Sequence, residues 1–185
     1  MKELTYDGVV IGGGAAGMAA ALELDAAGFK TAIIDREDHL GGILMQCIHN
    51  GFGLHEFKEE LTGPEFAGRF LEKVASSGVT VYLDTTVTAL KADAASVSAY
   101  KELFCTSPTL GAMHINARAV VLAMGCREKN RGNVRIPGSR PAGVYTAGLA
   151  QRLVNIDGYV PGKEVVIIGS GDIGLIMARR MSWVG

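Results

Sequence analysis

The sequence has few of the features that mark disulfide-stabilised, metal-binding or membrane proteins. Its three cysteines, at positions 47, 105 and 126, form no Cys-x-x-Cys pair, so neither a disulfide framework nor a metal site is predicted. The longest apolar stretches are too short to cross a bilayer, and no signal-peptide pattern follows Met1. We therefore expect a cytoplasmic protein with reduced thiols and no membrane span.

An excess of charge of one sign is also absent. The chain has 18 basic and 19 acidic residues and a formal net charge of -1, without a block of like charge that would suit nucleic acid or an anionic membrane. What it does have is 48% hydrophobic residues and 25 glycines, which indicates a globular protein with many tight turns. Its 185 residues suffice for one domain, or for one domain and the beginning of another.

The first 35 residues have the pattern of a βαβ unit. The apolar run Gly8–Ile11 is typical of a buried parallel strand and leads into three consecutive glycines. An alanine-rich helix is predicted over about 15–27, and a second strand over 30–34. Because parallel neighbouring strands are joined by such a helix, the fold class is α/β with a right-handed crossover.

The remaining pattern predicts the rest of this domain and the start of another. A helix beginning near Pro64 and a strand over 79–83 continue the α/β alternation. Short β-rich stretches, including Thr86–Thr88 and Val97–Phe104, predict a small antiparallel β-meander inserted at about 86–117. A buried strand over 118–124 and a short helix near 147–156 follow.

A second unit of the same kind is predicted near the end of the sequence. The apolar run Glu164–Ile168 is expected to be a strand, and a helix is expected from about Ile173. We therefore predict a dinucleotide-binding domain at 1–145, a connector at 146–163, and the truncated beginning of a second Rossmann-like domain at 164–185.

The turn after the first strand carries the fingerprint Gly12-x-Gly14-x-x-Gly17. Its glycines permit the tight turn, close approach of a pyrophosphate, and packing of helix on strand, while the helix start at Ala15 and Ala16 offers N–H groups to phosphates. Asp35, 23 residues after Gly12, stands where a carboxylate accepts hydrogen bonds from ribose hydroxyls. This combination favours a dinucleotide site without a 2′-phosphate over a turn that only packs the helix.

A second fingerprint, Gly169-x-Gly171-x-x-Gly174, includes Asp172 at the following helix start. Two such turns suggest two dinucleotides, an arrangement suited to hydride transfer between a nicotinamide and a flavin. The alternative is that this second turn binds nothing in the present chain, because the discriminating acid or arginine is expected about 20 residues further on.

With these motifs the chain resembles the FAD-dependent pyridine nucleotide oxidoreductases, the superfamily of two-dinucleotide-domain flavoproteins that includes the disulfide reductases. The resemblance implies that the first turn and Asp35 bind the adenosine and pyrophosphate of FAD. It also implies FAD contacts along four other short segments: Arg36, Leu40-Gly41-Gly42, Val87, and Ala123-Met124-Gly125, in which Met124 replaces the threonine of the family pattern.

The redox-active dithiol of the disulfide reductases is missing. Residues 43–49, directly after Gly41-Gly42, contain one cysteine, Cys47, and the stretch 143–168 before the second glycine turn contains none, so a dithiol relay is not predicted. Cys47 is a candidate for a lone thiolate beside the flavin, with His49 nearby, but a buried packing residue is the favoured interpretation. A basic set at 127, 129, 131 and 135 is interpreted as a solvated loop rather than a guide for an anionic cofactor.

The function implied by the resemblance is hydride transfer between NAD(P)H and FAD, followed by electron transfer to a small-molecule or protein acceptor. The segment 41–65 resembles flavin subunits of opine, sarcosine or glycerol-3-phosphate oxidising systems. This leaves an alternative, an FAD-binding subunit or fragment that is non-catalytic alone and needs a partner subunit. Residues 1–185 alone are expected to hold FAD weakly, because the family's carboxy-terminal part completes the FAD domain.

Overall fold

The computed structural model describes residues 2–92 and 100–184, which form two compact units. The first unit contains the described residues of 1–44 and 64–125, and the second contains those of 45–63 and 126–185. This division reflects packing. The domain at 1–145, the connector at 146–163 and the second domain from residue 164 stay predictions. No helix in the described ranges combines the length and apolar composition that a membrane crossing requires.

The helices and strands follow one another along the chain in an α/β order. They are β1 (Lys2–Ile11), α1 (Ala15–Ala26), β2 (Thr31–Ile34), a 3-10 helix (Gly42–Gln46), β3 (Asn50–Phe52), β4 (Leu61–Thr62), α2 (Gly63–Ala75), β5 (Thr80–Tyr82), β6 (Thr86–Lys91), β7 (Lys101–Ser107), β8 (Gly111–Leu122), α3 (Ala147–Asn155) and α4 (Asp172–Val184).

A six-stranded sheet in the order β5-β2-β1-β8-β7-β6 organises the first unit. Its parallel half joins β1 to both β2 and β8, and β2 to β5. The predicted βαβ unit and α/β class are therefore confirmed. Since the carboxyl ends of parallel strands meet at one edge, the residues that follow β1, β2 and β8 converge there; they are Gly12, Asp35 and Ala123.

The other half of the sheet is antiparallel and confirms the predicted meander. β7 pairs with β6 on one side and with β8 on the other. β8 runs unbroken from the meander into the strand predicted over 118–124, so one long strand belongs to both halves. Of the predicted stretch Val97–Phe104, residues 97–99 lie outside the described residues, Tyr100 precedes β7, and the remainder lies in β7.

Alternating side chains of β1 fill both faces of the sheet. Val10 is fully buried on one face, where Met18 of α1 and Val74 of α2 pack. Val9 is fully buried in a second cluster, with Leu103 and Ile115 of the antiparallel half. A strand buried on both faces is why residues 8–11 form a continuous apolar run instead of an alternating pattern.

The second unit holds the short antiparallel pair of β3 and β4 and the helices α3 and α4. Both helices begin close to their predicted starts. The predicted strand at Glu164–Ile168 is wrong: the segment is not a strand, and Val166 and Ile168 are 89% and 76% exposed. A strand exists through hydrogen bonds to a neighbour, and within the described residues nothing pairs with this segment.

Candidate functional site

Two glycines of the first turn are required by contacts within the protein. Gly12 has a φ of +104°, and a Cβ there would lie 2.4 Å from the carbonyl oxygen of Ala123. A Cβ on Gly17 would lie 1.8 Å from the carbonyl oxygen of Gly12. Because neither position has space for a side chain, both glycines close the connection between β1 and α1.

Gly14 has no such internal reason to be glycine. Its φ of -73° suits any residue, and a Cβ there would meet no heavy atom within 4 Å. It is also the N-cap of α1, where no side chain caps the helix and the first turn carries no acid. The first N–H groups of the helix, among them those of Ala15 and Ala16, have no intrahelical acceptor. The turn thus leaves open space beside a helix terminus that favours an anion.

The Asp35 carboxylate lies against this turn. One oxygen accepts a hydrogen bond from the backbone N–H of Gly13, and the other accepts one from the N–H of Glu37 at 2.9 Å. A carboxylate offers about four acceptor positions. The half-buried side chain therefore keeps about two of them for a further donor pair such as neighbouring hydroxyls.

The predicted segment Leu40-Gly41-Gly42 packs on the same turn. The N–H of Gly41 donates to the carbonyl oxygen of Gly13 at 2.8 Å. A Cβ on Gly13 would lie 2.2 Å from Cδ2 of Leu40, and one on Gly42 would lie 3.1 Å from Cα of Gly14. The sequence did not single out Gly13, because the fingerprint Gly-x-Gly-x-x-Gly allows any residue at that position. Three consecutive glycines were the available signal.

The other predicted FAD contacts in the first unit take different positions. Ala123 donates its N–H to the carbonyl oxygen of Ile11 at 2.8 Å, which holds the end of β8 beside the turn. Gly125 has a φ of +68°, and a Cβ there would meet no heavy atom within 4 Å.

Two further predicted FAD contacts lie away from the end of β8. Arg36 is exposed, with Nε 3.4 Å from a carboxylate oxygen of Glu37. Val87 is half-buried in β6 against the core cluster of Val9.

Cys47 follows the 3-10 helix in the second unit. Its side chain is partly buried, and burial raises the pKa of the thiol. Its carbonyl oxygen accepts a hydrogen bond from the N–H of Gly63 at 2.8 Å, while Nδ1 of His49 contacts the carbonyl oxygen of Asn50 at 2.9 Å. A thiol kept neutral is a poor nucleophile, which favours the packing interpretation.

The second glycine turn shares part of the geometry of the first, although a Cβ on its first glycine, Gly169, would meet no heavy atom within 4 Å. Gly169 has a φ of +126°, a Cβ on Gly174 would lie 2.9 Å from the carbonyl oxygen of Gly169, and Gly171 has open space. Asp172 begins α4 directly after it. The turn therefore forms locally, although the strand expected before it does not.

Comparison with known proteins places these features in a family. The family model described as pyridine nucleotide-disulphide oxidoreductase matches residues 6–185. An opine oxidase subunit of Agrobacterium tumefaciens is 31% identical over 178 residues, which cover 95% of this chain and 34% of that protein. The small chain of glutamate synthase (NADPH) of Mycobacterium tuberculosis is 32% identical over an alignment of 185 positions, which includes 89% of this chain and 31% of that protein.

This chain thus spans about a third of the length of the curated relatives that it matches. L-proline dehydrogenase from P. horikoshii has a similar structure, with a TM-score of 0.75 and 22% sequence identity over 98% of this chain and 34% of that one. At that identity the likeness shows the fold alone. With the family model matched from residue 6 to residue 185, the chain belongs to the pyridine nucleotide-disulphide oxidoreductase family.

Proposed function

We propose that the first glycine turn binds FAD and that this chain is the FAD-binding part of an oxidoreductase that exchanges a hydride with NAD(P)H. The observation that carries the proposal is the open space at Gly14. Gly12 and Gly17 are explained by contacts within the protein, whereas Gly14 is not. A phosphate group lying against the turn gives Gly14 its reason to lack a side chain.

The residues around this space fit the adenosine and pyrophosphate of FAD. The free N–H groups at the start of α1 would donate to the pyrophosphate, with Gly41 and Gly42 beside them. We also propose that the exposed Arg36, which follows Asp35, approaches the pyrophosphate. The remaining acceptor positions of Asp35 match the 2′ and 3′ hydroxyls of a ribose, and its negative charge disfavours a 2′-phosphate. The proposal extends to Val87 for the adenine, and to Ala123 and Gly125 for the flavin side.

FAD would supply the redox chemistry, between NAD(P)H and a small-molecule or protein electron acceptor. The role of this chain is to bind and orient the two dinucleotides. For NAD(P)H we propose the second turn, in which Gly169 and Gly174 form the tight connection and Gly171 leaves the open space. The family match and the likeness to the glutamate synthase small chain support this assignment. Asp172 belongs to this second site as the first residue of α4.

A second candidate is an FAD-binding subunit that works only with a partner subunit. The 31% identity to the opine oxidase subunit over 95% of this chain favours it, and an amine, opine or glycerol-3-phosphate would then be the oxidised substrate. The two candidates share the FAD site. They differ in whether NADH or NADPH reduces the flavin, which anaerobic bleaching of the flavin absorbance by either nucleotide distinguishes.

The FAD site is tested by titration of FAD, followed by quenching of its fluorescence, on the wild type and on Gly14→Ala. The added methyl group has space in the protein, so the free energy of unfolding should fall by no more than about 1 kcal/mol, the cost of alanine in place of glycine at an N-cap. FAD affinity should fall about tenfold or more, equivalent to about 1.4 kcal/mol. Gly68→Ala in α2, which also has open space, is the matched control and should bind FAD as the wild type does. Equal affinities in all three proteins, or no saturable binding by the wild type, would contradict the proposal.

A further inference from the structure

A loop in the second unit concentrates positive charge. Residues 127–140 contain five basic residues and one acidic residue, whereas the whole chain has a net charge of -1. The five are Arg127, Lys129, Arg131, Arg135 and Arg140. This stretch has no place in the proposed FAD and NAD(P)H sites.

The loop has a defined shape because it is hydrogen-bonded internally. The side-chain oxygen Oδ1 of Asn130 accepts a hydrogen bond from the N–H of Asn133 at 3.0 Å. The backbone carbonyl oxygen of Asn130 accepts another from the N–H of Val134 at 3.1 Å. The guanidinium of Arg131 donates to the carbonyl oxygen of Gly138 and so ties the two sides of the turn together. An ordered turn presents its side chains with less loss of conformational entropy on binding than a free loop does.

The single acid of the loop is engaged elsewhere. The carboxylate of Glu128 accepts hydrogen bonds from the N–H groups of Gly148 at 2.8 Å and Leu149 at 3.1 Å, at the start of α3. Its negative charge therefore interacts with the amino terminus of α3 and does not neutralise the neighbouring basic side chains. Four of those are exposed and form no ion pair within the described residues; they are Arg127, Lys129, Arg135 and Arg140.

We propose that this basic loop docks an acidic face of a protein electron acceptor; the inference rests on the proposed function, which passes electrons to an acceptor. Four exposed positive charges spread along a loop of fourteen residues match an extended acidic surface. A single phosphate group is instead held in a compact nest of backbone N–H groups. Arginine, which is enriched at protein interfaces, makes up four of the five basic residues.

We expect the basic loop to raise the rate of association with the partner more than it slows dissociation of the complex. Exposed ion pairs each contribute little to affinity and are weakened by salt. Several of them on one loop raise the rate of association with an acidic partner and make binding dependent on ionic strength. The proposal therefore predicts salt-sensitive binding of acidic polypeptides.

The test uses fluorescence anisotropy with a labelled peptide of twelve glutamates, at low ionic strength and again in 0.15 M salt. The loop variant R127Q/K129Q/R135Q/R140Q is compared with K2Q/K58Q/K91Q/K163Q, which also loses four exposed positive charges. We expect the loop variant to bind the peptide about tenfold more weakly, and the control to stay within about twofold, of the wild type. Salt should abolish most of the difference.

Three outcomes would overturn the proposal: no binding of the peptide, equal weakening in both variants, or loop-dependent binding of ATP or of a 12-base-pair DNA that is tighter than that of the peptide. The last would indicate a nucleotide or nucleic-acid site. FAD titration of the same loop variant separates this inference from the proposed function. Its FAD affinity should equal that of the wild type whether or not the peptide binds.

Discussion

The carboxylate of Asp35 accepts a hydrogen bond from the backbone N–H of Gly13, in the middle of the first glycine turn. This bond joins the end of β2 to the turn that follows β1. The residue proposed to bind ribose therefore also shapes the turn proposed to bind pyrophosphate.

Replacing Asp35 by alanine should affect the protein even without FAD. Gly13 is buried, so its N–H would lose its acceptor, and the free energy of unfolding should fall by about 1 to 3 kcal/mol. FAD affinity should fall as well. Urea unfolding of the FAD-free protein measures the first effect. Asp38→Ala, at an exposed neighbour, is the control and should stay within about 0.5 kcal/mol of the wild type. Loss of affinity with unchanged stability would show that the bond does not hold the turn.

Two glycine-to-alanine substitutions in helices should have opposite effects. At Gly17 the new methyl group would lie 1.8 Å from the carbonyl oxygen of Gly12, so the turn must open and the FAD-free protein should lose several kcal/mol of stability or fail to fold. At Gly68 the space is open, and alanine should stabilise α2 by about 0.5 to 1 kcal/mol. Thermal unfolding of both variants beside the wild type checks the contrast. Similar shifts in both would rule out the steric role of Gly17.

The parts of the fold that follow from local pattern were predictable from the sequence. The strand at 8–11, the glycine turn and α1 are each fixed by neighbouring residues, and the structure places Asp35 against that turn. The hydrogen bonds that Gly13 makes with Asp35 and Gly41 were not predictable, because on Gly13 they use only the N–H and carbonyl groups that every non-proline residue possesses. Sequence reveals the type of a side chain but not which N–H it will meet.

The strand predicted at 164–168 failed because a strand depends on a partner elsewhere in the chain. Its residues have high β-propensity, but a strand also needs a hydrogen-bonding neighbour, and composition does not reveal whether one is available. The cap of α3 is a similar case. Glu128 lies 20 residues from Gly148, too far for the local capping pattern that identifies helix starts in a sequence.

A buried tyrosine pair should make stability depend on pH in the alkaline range. The hydroxyl groups of Tyr6 and Tyr82 are 2.7 Å apart, and burial, followed by this hydrogen bond, raises the pKa of Tyr82 above its ordinary value of 10. The folded protein thus keeps a proton that the unfolded chain releases. The resulting stabilisation is fully present below pH 10 and is lost progressively as the pH rises above it.

Tyr82→Phe isolates this effect. Between pH 9 and pH 11 the wild type should lose more unfolding free energy than the variant, while at pH 7 the variant should be less stable by about 1 kcal/mol because Tyr6 loses its partner. Urea unfolding at the three pH values gives the comparison. Parallel pH profiles for the two proteins would contradict the assignment to Tyr82.

The thiol of Cys47 should react slowly with alkylating agents. Because burial raises its pKa, the thiolate fraction at neutral pH is small, and each unit of pKa reduces that fraction about tenfold. Iodoacetamide at pH 7.5 should modify the exposed Cys126 first, as read by mass spectrometry of peptides over time. Cys47→Ser should leave FAD binding unchanged. Labelling of Cys47 faster than Cys126 would instead point to an activated nucleophile.

Glu128 should stabilise α3 from a distance. Its carboxylate takes the place of an N-cap side chain, since Thr146 at the N-cap makes no side-chain bond to the helix. Loss of a cap costs about 0.5 to 2 kcal/mol, so Glu128→Ala should lower the unfolding free energy by this amount, while the exposed Glu164→Ala changes it little.

Gly148 provides a sharper test of the same cap. Alanine within a helix ordinarily stabilises it by about 1 kcal/mol relative to glycine. Here the new Cβ would lie 2.8 Å from a carboxylate oxygen of Glu128 and displace it, so Gly148→Ala should gain nothing or lose stability. In the Glu128→Ala background the same substitution should become stabilising, because no cap remains to be displaced. A double-mutant cycle by urea unfolding measures this coupling, and strictly additive effects would show that Glu128 does not cap α3.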